Sequence, residues 1–213
     1  MERPKSLTNI LPITVIVLFH VVGVIGFSIP MWRDLFIYMV PYHLLLMLMT
    51  IFFSYGRTSV RLSIFFLLIY VLGYASEWIG VHKGWLFGNY TYGRTLGLQV
   101  SGIPLLIGVN WFLLIFSAGT LMQKTGMRNK LLRIVCGALL LVLLDICIEP
   151  VAMHFNYWDW ANDVIPFKNY VCWFLLSLIM LSLYESFRFK RLNYAAPVLL
   201  AMQFIFFLAL NWV

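Results

Sequence analysis

The chain reads as seven long apolar runs separated by polar breaks. The runs fall near 9–30, 35–54, 61–80, 100–122, 131–150, 169–187 and 193–212. Each is close to the ~20 residues a helix needs to cross the hydrocarbon core of a bilayer. A membrane-spanning strand alternates apolar and polar residues over about ten positions, and these runs do not. Each is therefore predicted to be a transmembrane helix. Most connections are short. Two, 81–99 and 151–168, are longer and rich in Trp, Tyr, Gly and His. The first run follows Met-Glu-Arg-Pro-Lys, as a signal peptide could. It extends from about Ile10 to Ile29 with no small-x-small cleavage site after it, so it is expected to be retained as the first helix.

Composition turns this pattern into a constraint. The 213 residues are 62% hydrophobic and 11% charged, with a mean hydropathy of +0.91. A soluble domain carries about 25% charged residues. So few charges cannot cover a water-facing surface, and lipid must be the solvent for most of the chain. The expected fold is all-α: one polytopic membrane bundle over 1–213, with no room for a separate soluble domain.

The net charge of +7 does not point to nucleic acid. The basic residues cluster in the breaks, where they orient a membrane protein and meet anionic lipid. With seven crossings, one side holds Arg3, Lys5, Arg57, Arg61, Lys124, Arg128, Lys130, Arg133, Arg188, Lys190 and Arg191, eleven in all. The other holds Arg33, Lys83, Arg94 and Lys168, four in all. The positive-inside rule then places the N-terminus inside and the C-terminus outside. Both long aromatic loops face outward, with most of the acidic residues, so chemistry is expected in the outer half of the bundle. Cys136, Cys147 and Cys172 lie within apolar runs without a CxxC pair, and are read as packing residues.

Ionisable groups inside a span are costly and are functional candidates by default. Three stand out: Glu77, Asp145 and Glu149. Asp145 and Glu149 are four residues apart, which stacks them on one helix face about 6 Å apart. Pro150 follows and is expected to end or kink that helix. Two carboxyl groups stacked in low dielectric cannot easily both carry charge, so one is expected as a carboxylic acid able to donate a proton. The bland alternative is interhelical hydrogen bonding. The aromatic residues of the loops are partly an interface belt, but their density also suits stabilisation of a cation. Asp159 and Asp163 form a DxxxD pair without a second acidic motif, a weak signal for Mg²⁺ on a diphosphate. His82, His154 and Glu149 match no metal-ligand spacing, and the histidines are read as polar loop residues. Walker, GxSxG and HExxH motifs are absent. The seventh run contains no lysine, which excludes a retinal Schiff base.

Two motifs carry a resemblance. The first runs from Gly73 through Glu77, Trp78, Gly80, Val81, His82 and Gly84 to Phe87-Gly88-Asn89-Tyr90-Thr91-Tyr92, then Leu96-Gly97, Gly102-Ile103-Pro104-Leu105 and Asn110-Trp111. The second is Leu144-Asp145-Ile146-Cys147-Ile148-Glu149-Pro150, then Tyr157-Trp158-Asp159-Trp160, Pro166, Asn169-Tyr170 and Trp173. In order and spacing, over about 70–175, these resemble the carotenoid 1,2-hydratases of the CruF type. Asn156 stands where the pattern has a glycine.

The resemblance implies addition of water across the terminal 1,2 double bond of a carotenoid ψ-end, without metal or redox cofactor. The residues fit that chemistry. One of Glu77, Asp145 and Glu149 protonates the alkene, a tertiary cation forms, and a second carboxyl group orients water. Trp78, His82, Trp85, Phe87, Tyr90, Tyr92, Asn110, Trp111, His154, Tyr157, Trp158, Trp160, Asn169 and Trp173 are the candidates for surrounding the substrate. The carotenoid would arrive sideways from the bilayer and water from the outer interface, and other carotenoid-pathway enzymes are possible partners. A carotenoid cyclase uses the same protonation and stays open as an alternative. So does a membrane protein that binds a carotenoid without converting it. A proton-coupled transporter is disfavoured, because the ionisable residues occupy only one half of the depth.

Overall fold

The computed structural model describes residues 7–55, 59–189 and 194–213. Arg3, Lys5, Arg57, Lys190 and Arg191 of the charge count lie outside the described residues. Among the described residues there are seven α-helices: α1 (Leu7–Ser28), α2 (Pro30–Tyr55), α3 (Val60–Lys83), α4 (Ile107–Lys124), α5 (Lys130–His154), α6 (Phe167–Phe187) and α7 (Ala195–Leu210). Five of them, α1, α2, α3, α5 and α6, are long and apolar enough to cross a membrane, and α7 is a shorter apolar helix. The chain is an all-α membrane bundle. Many large apolar side chains on α1, α2, α3 and α5 are exposed, as lipid-facing surfaces require.

The central helix is α4. It packs against α2, α3, α5, α6 and α7, and its side chains from Trp111 to Thr120 are all buried. A helix enclosed on every side needs small residues where neighbours cross closely. Gly108 and Gly119 provide them, since a methyl group there would meet the rings of Tyr70 and Tyr184 at 2.7 and 2.6 Å.

Contacts between helix ends fix the arrangement. At one end, Arg61 at the start of α3 donates to the Arg188 carbonyl beyond α6, and the Lys124 ammonium lies over the Tyr194 ring before α7. Arg133 makes a bidentate ion pair with Glu185 at that same end. At the opposite end, Lys168 donates to the Gly84 carbonyl that closes α3. The first is here called the basic end, the second the aromatic end.

Two boundaries depart from the expectation. The fourth helix begins at Ile107, not near 100, because 99–104 folds into a tight hairpin of β2 (Gln99–Val100) and β3 (Ile103–Pro104). Pro150 does not end the fifth helix, which continues to His154. A proline removes one helical N–H and strains the preceding turn, and the surrounding bundle accommodates that here. Gly84 stops α3 in the left-handed conformation, at φ 64°, with its N–H on the Gly80 carbonyl.

The aromatic end carries a ribbon that the sequence reading placed in loops. Strand β1 (Tyr90–Tyr92) pairs antiparallel with β4 (Trp158–Trp160), Tyr90 opposite Trp160 and Tyr92 opposite Trp158. Alternation along each strand turns Tyr90, Tyr92, Trp158 and Trp160 toward the bundle, and leaves Thr91 and Asp159 exposed.

Candidate active site

The three carboxyl groups are buried at the aromatic end, with Glu77 5%, Asp145 0% and Glu149 1% exposed. Buried charge or acid needs hydrogen-bond partners, and the ribbon supplies most of them. The Tyr90 and Tyr92 hydroxyls donate to Glu77 Oε2 at 2.6 and 2.7 Å. The Trp111 indole donates to Glu77 Oε1 at 2.9 Å. Across the ribbon, the Trp158 and Trp160 indoles donate to Glu149 Oε2 at 2.9 and 2.6 Å. One strand therefore grips a carboxyl group of α3 and the other a carboxyl group of α5.

Asn169, near the start of α6, joins the two acids of α5. Its amide nitrogen donates to Asp145 Oδ2 at 2.8 Å and to Glu149 Oε1 at 2.9 Å. The i, i+4 stacking expected for Asp145 and Glu149 is thus realised, with one amide spanning both. Among the described residues Asp145 Oδ1 has no hydrogen-bond partner. Both oxygens of Glu77 and both of Glu149 are occupied by donors.

Two glycines of α3 make room for this. A methyl group on Gly80 would lie 2.6 Å from the Tyr90 hydroxyl oxygen, and one on Gly73 would lie 2.7 Å from the Trp111 ring. These positions, three residues after and four before Glu77, are the helical neighbours of its own face. Burial, reinforced by the adjacent Glu77 carboxyl group, pushes the Tyr90 and Tyr92 phenols well above the usual tyrosine range. Both therefore remain O–H donors.

Between Glu77 and Glu149 lies a chamber of about 30 Å³, lined also by Phe87, Tyr90, Tyr92, Asn110, Trp111, Asn169 and Trp173. That is room enough for a water molecule. The Trp111 and Trp173 rings face each other there, with centroids 4.5 Å apart. Next to it is a far larger apolar cavity of about 500 Å³, enclosed by α1, α2, α4, α7 and the aromatic loops. Asn110, Ile148 and Trp158 line both spaces and form the wall between them. Tyr157 lines the larger cavity. Exposed Phe19, Val22, Leu35, Met39 and Tyr42 mark its rim, so it opens sideways between α1 and α2.

Four of the sequence candidates are not brought to this cluster. Trp78 is half exposed and stacks on the exposed His82, with ring centroids 4.7 Å apart. Trp85 is 72% exposed. His154 is exposed beside a separate groove. Trp78 sits next to Glu77 in sequence, but a helix turns adjacent residues about 100° apart and points them to different faces. Asp159 and Asp163 are exposed, and Asp159 points away from the chamber by strand alternation. Conversely, Ile107 and Ile148 of the chamber, and the cavity walls from α1, α2 and α7, were not singled out. In an all-apolar helix, no pattern separates a cavity face from a lipid face.

The departure at Asn156 has a local cause. Its φ is 56°, a left-handed conformation that glycine adopts freely and asparagine tolerates better than most residues.

Residues 37–213 match the family described as carotenoid biosynthesis protein. Over 125 residues, 55% of this chain, the sequence is 29% identical to the bisanhydrobacterioruberin hydratase of Haloarcula japonica. The matched region spans 42% of that curated relative's length. No solved structure matches. The family match takes in most of α2 and all of α3 to α7, both aromatic motifs and all three buried carboxyl groups, and on that ground the chain belongs to the carotenoid biosynthesis protein family, with its resemblance directed to the CruF-type hydratases.

Proposed function

We propose that this protein adds water to the terminal 1,2 double bond of a carotenoid ψ-end, producing a tertiary alcohol. The observation that carries the reading is the division of space. A water-sized chamber between two buried glutamates adjoins an apolar cavity of about 500 Å³ that opens toward lipid. A carotenoid end group fits only the larger space, and water suits the polar one.

The roles follow from hydrogen bonding. An ionised carboxylate has acceptors only, and three donors satisfy Glu77. Glu77 is assigned as the base. The Asp145–Glu149 pair, joined by Asn169, is assigned as the acid: Asp145, whose Oδ1 meets no donor among the described residues, holds the proton, and Glu149, which lines the chamber, relays it to the double bond. The π electrons take the proton at C2 and leave a tertiary cation at C1. The Trp158 ring, on the wall shared by the two spaces, stabilises that cation. The chamber water attacks C1 and loses a proton to Glu77. Passage of that proton back to the acid through the next water restores the site. Asn110, on the shared wall, holds the water toward the cavity.

By its charge distribution, the aromatic end faces the outer side of the membrane. The test is expression in a bacterial host that makes lycopene or γ-carotene, followed by chromatography and mass spectrometry. The expected product is heavier by one water with an unchanged visible chromophore. An unchanged mass with a shifted spectrum would establish a cyclase instead. Unaltered pigment, with the protein present in the membrane, would remove the enzymatic reading for these substrates.

A further inference from the structure

A separate hollow, of about 680 Å³, lies at the basic end, where the ends of α3, α5 and α6 meet. Arg61 of α3, Lys130 of α5 and Arg188 beyond α6 line it, together with Ser182, Ser186 and Glu185. The three cations are exposed, and the bond from Arg61 Nη1 to the Arg188 carbonyl, at 3.5 Å, ties two of them to one turn. Glu185 does not neutralise them, because Arg133 occupies both of its oxygens at 2.7 Å. Among the described residues Arg133–Glu185 is the only ion pair. Ser182 and Ser186 donate to the Leu178 and Ser182 carbonyls of their own helix, which leaves their hydroxyl oxygens able to accept. Deeper in the span, the same face of α6 continues through Ile179 and Leu175, 56% and 51% exposed. Residues 175, 179, 182 and 186 follow helical spacing and form one stripe. It is apolar within the span and polar at the hollow.

We propose that this hollow binds the headgroup of an anionic phospholipid with a hydroxylated head, of the phosphatidylglycerol type, whose acyl chain lies along Ile179 and Leu175. The proposal is independent of the hydratase reading. The phosphodiester meets Arg61, Lys130 and Arg188, and a guanidinium fork matches two phosphate oxygens at once. The glycerol hydroxyls donate to the oxygens of Ser182 and Ser186. Choline and ethanolamine heads bring an ammonium group among three cations and are disfavoured. A soluble phosphate satisfies the cations but makes no use of the apolar stripe that continues from the serines, so the occupant is a lipid. Basic residues that only orient a bundle need no shared hollow. Arg128, exposed in the break before α5 and outside the hollow, is a residue of that kind.

Native mass spectrometry tests this on the full-length protein, released from detergent that contains equimolar phosphatidylglycerol and phosphatidylcholine. The unaltered protein is expected to retain phosphatidylglycerol about tenfold or more over phosphatidylcholine. Arg61→Gln, Lys130→Gln and Arg188→Gln are each expected to lower that preference about fivefold, the scale of one basic residue at a membrane surface, and Arg128→Gln to change it by less than about twofold. Arg188 has φ 49°, so Arg188→Asn, which suits a left-handed backbone, serves if Arg188→Gln does not fold. Equal retention of the two lipids overturns the site. So does a loss in Arg128→Gln equal to the losses in the hollow variants, since general surface charge would then account for the binding. Displacement of phosphatidylglycerol by equimolar inorganic phosphate reassigns the hollow to a soluble anion and overturns the lipid as its occupant.

Discussion

Glu77 and Glu149 each accept three hydrogen bonds, so amide replacement tests their chemistry with little change in shape. Glu77→Gln and Glu149→Gln are expected to lower product formation at least a hundredfold, in the range of a lost general acid or base. Membrane levels should stay normal, and pigment conversion per unit protein is the measurement. Full conversion by both variants would remove the proposed roles. Gly80→Ala is a subtler probe. Its methyl group would meet the Tyr90 hydroxyl at 2.6 Å and displace one donor from Glu77. A loss of activity of about tenfold is expected, with stability lowered by about 1–2 kcal/mol for a hydrogen bond made poorer, readable together from conversion and thermal unfolding. At this scale the sequence was partly legible. An acid within a span declares itself by its cost, so all three carboxyl groups could be named. The role of the aromatic residues could not be read. Tyr90, Tyr92, Trp111, Trp158 and Trp160 turn their polar atoms to carboxylates, whereas composition alone suggests a belt or a cation cage.

The ribbon of β1 and β4 is the element that turns two loops into a site. Each strand is three residues long, too short for alternation to stand out from an aromatic-rich loop. Pairing became visible only once the helices had brought residues 90 and 160 together. Trp160→Phe keeps the ring and removes the indole N–H that Glu149 Oε2 accepts at 2.6 Å. It should cut product formation about tenfold while the ribbon persists, whereas Tyr92→Phe should do the same through Glu77. Combining the two tests whether the strands act as one unit, since coupled sites give non-additive losses. Simple multiplication of the two effects would mean that each strand serves its own glutamate independently. The helices themselves were legible because a bilayer imposes their length. The start of α4 was not, since the apolar residues of 99–106 mimic a helix while Gly102 and Pro104 fold them into a hairpin.

For the whole molecule, the arrangement of charges makes a directional claim. Asn162 is exposed at the aromatic end and Met127 lies in the polar break between α4 and α5 at the basic end. A membrane-impermeant maleimide applied to intact cells should label Asn162→Cys and not Met127→Cys, with the three native cysteines replaced. The reverse pattern would invert the bundle. Entry is a second property at this scale. Leu44 is nearly buried and lines the large cavity, so Leu44→Trp should obstruct it. Pigment retention is expected to fall severalfold with the carboxyl cluster untouched. Unchanged retention would mean that the carotenoid sits elsewhere. The cavity escaped the sequence because its walls come from α1, α2 and α7, where residues are apolar in every direction.

The bonds that close the ribbon have one more consequence. Gly93 N–H donates to Tyr157 O, and Ala161 N–H donates to Asn89 O, so the two loops are stitched to each other as well as to the carboxyl groups beneath. Such a roof cannot swing open to let a greasy guest in, because lifting it would strip four donors from two glutamates at once. On the proposed reading, a carotenoid therefore passes through the wall instead. The amide hydrogens of Gly93 and Ala161 should then exchange with heavy water as slowly as those of the membrane helices, and no faster while pigment is entering and leaving.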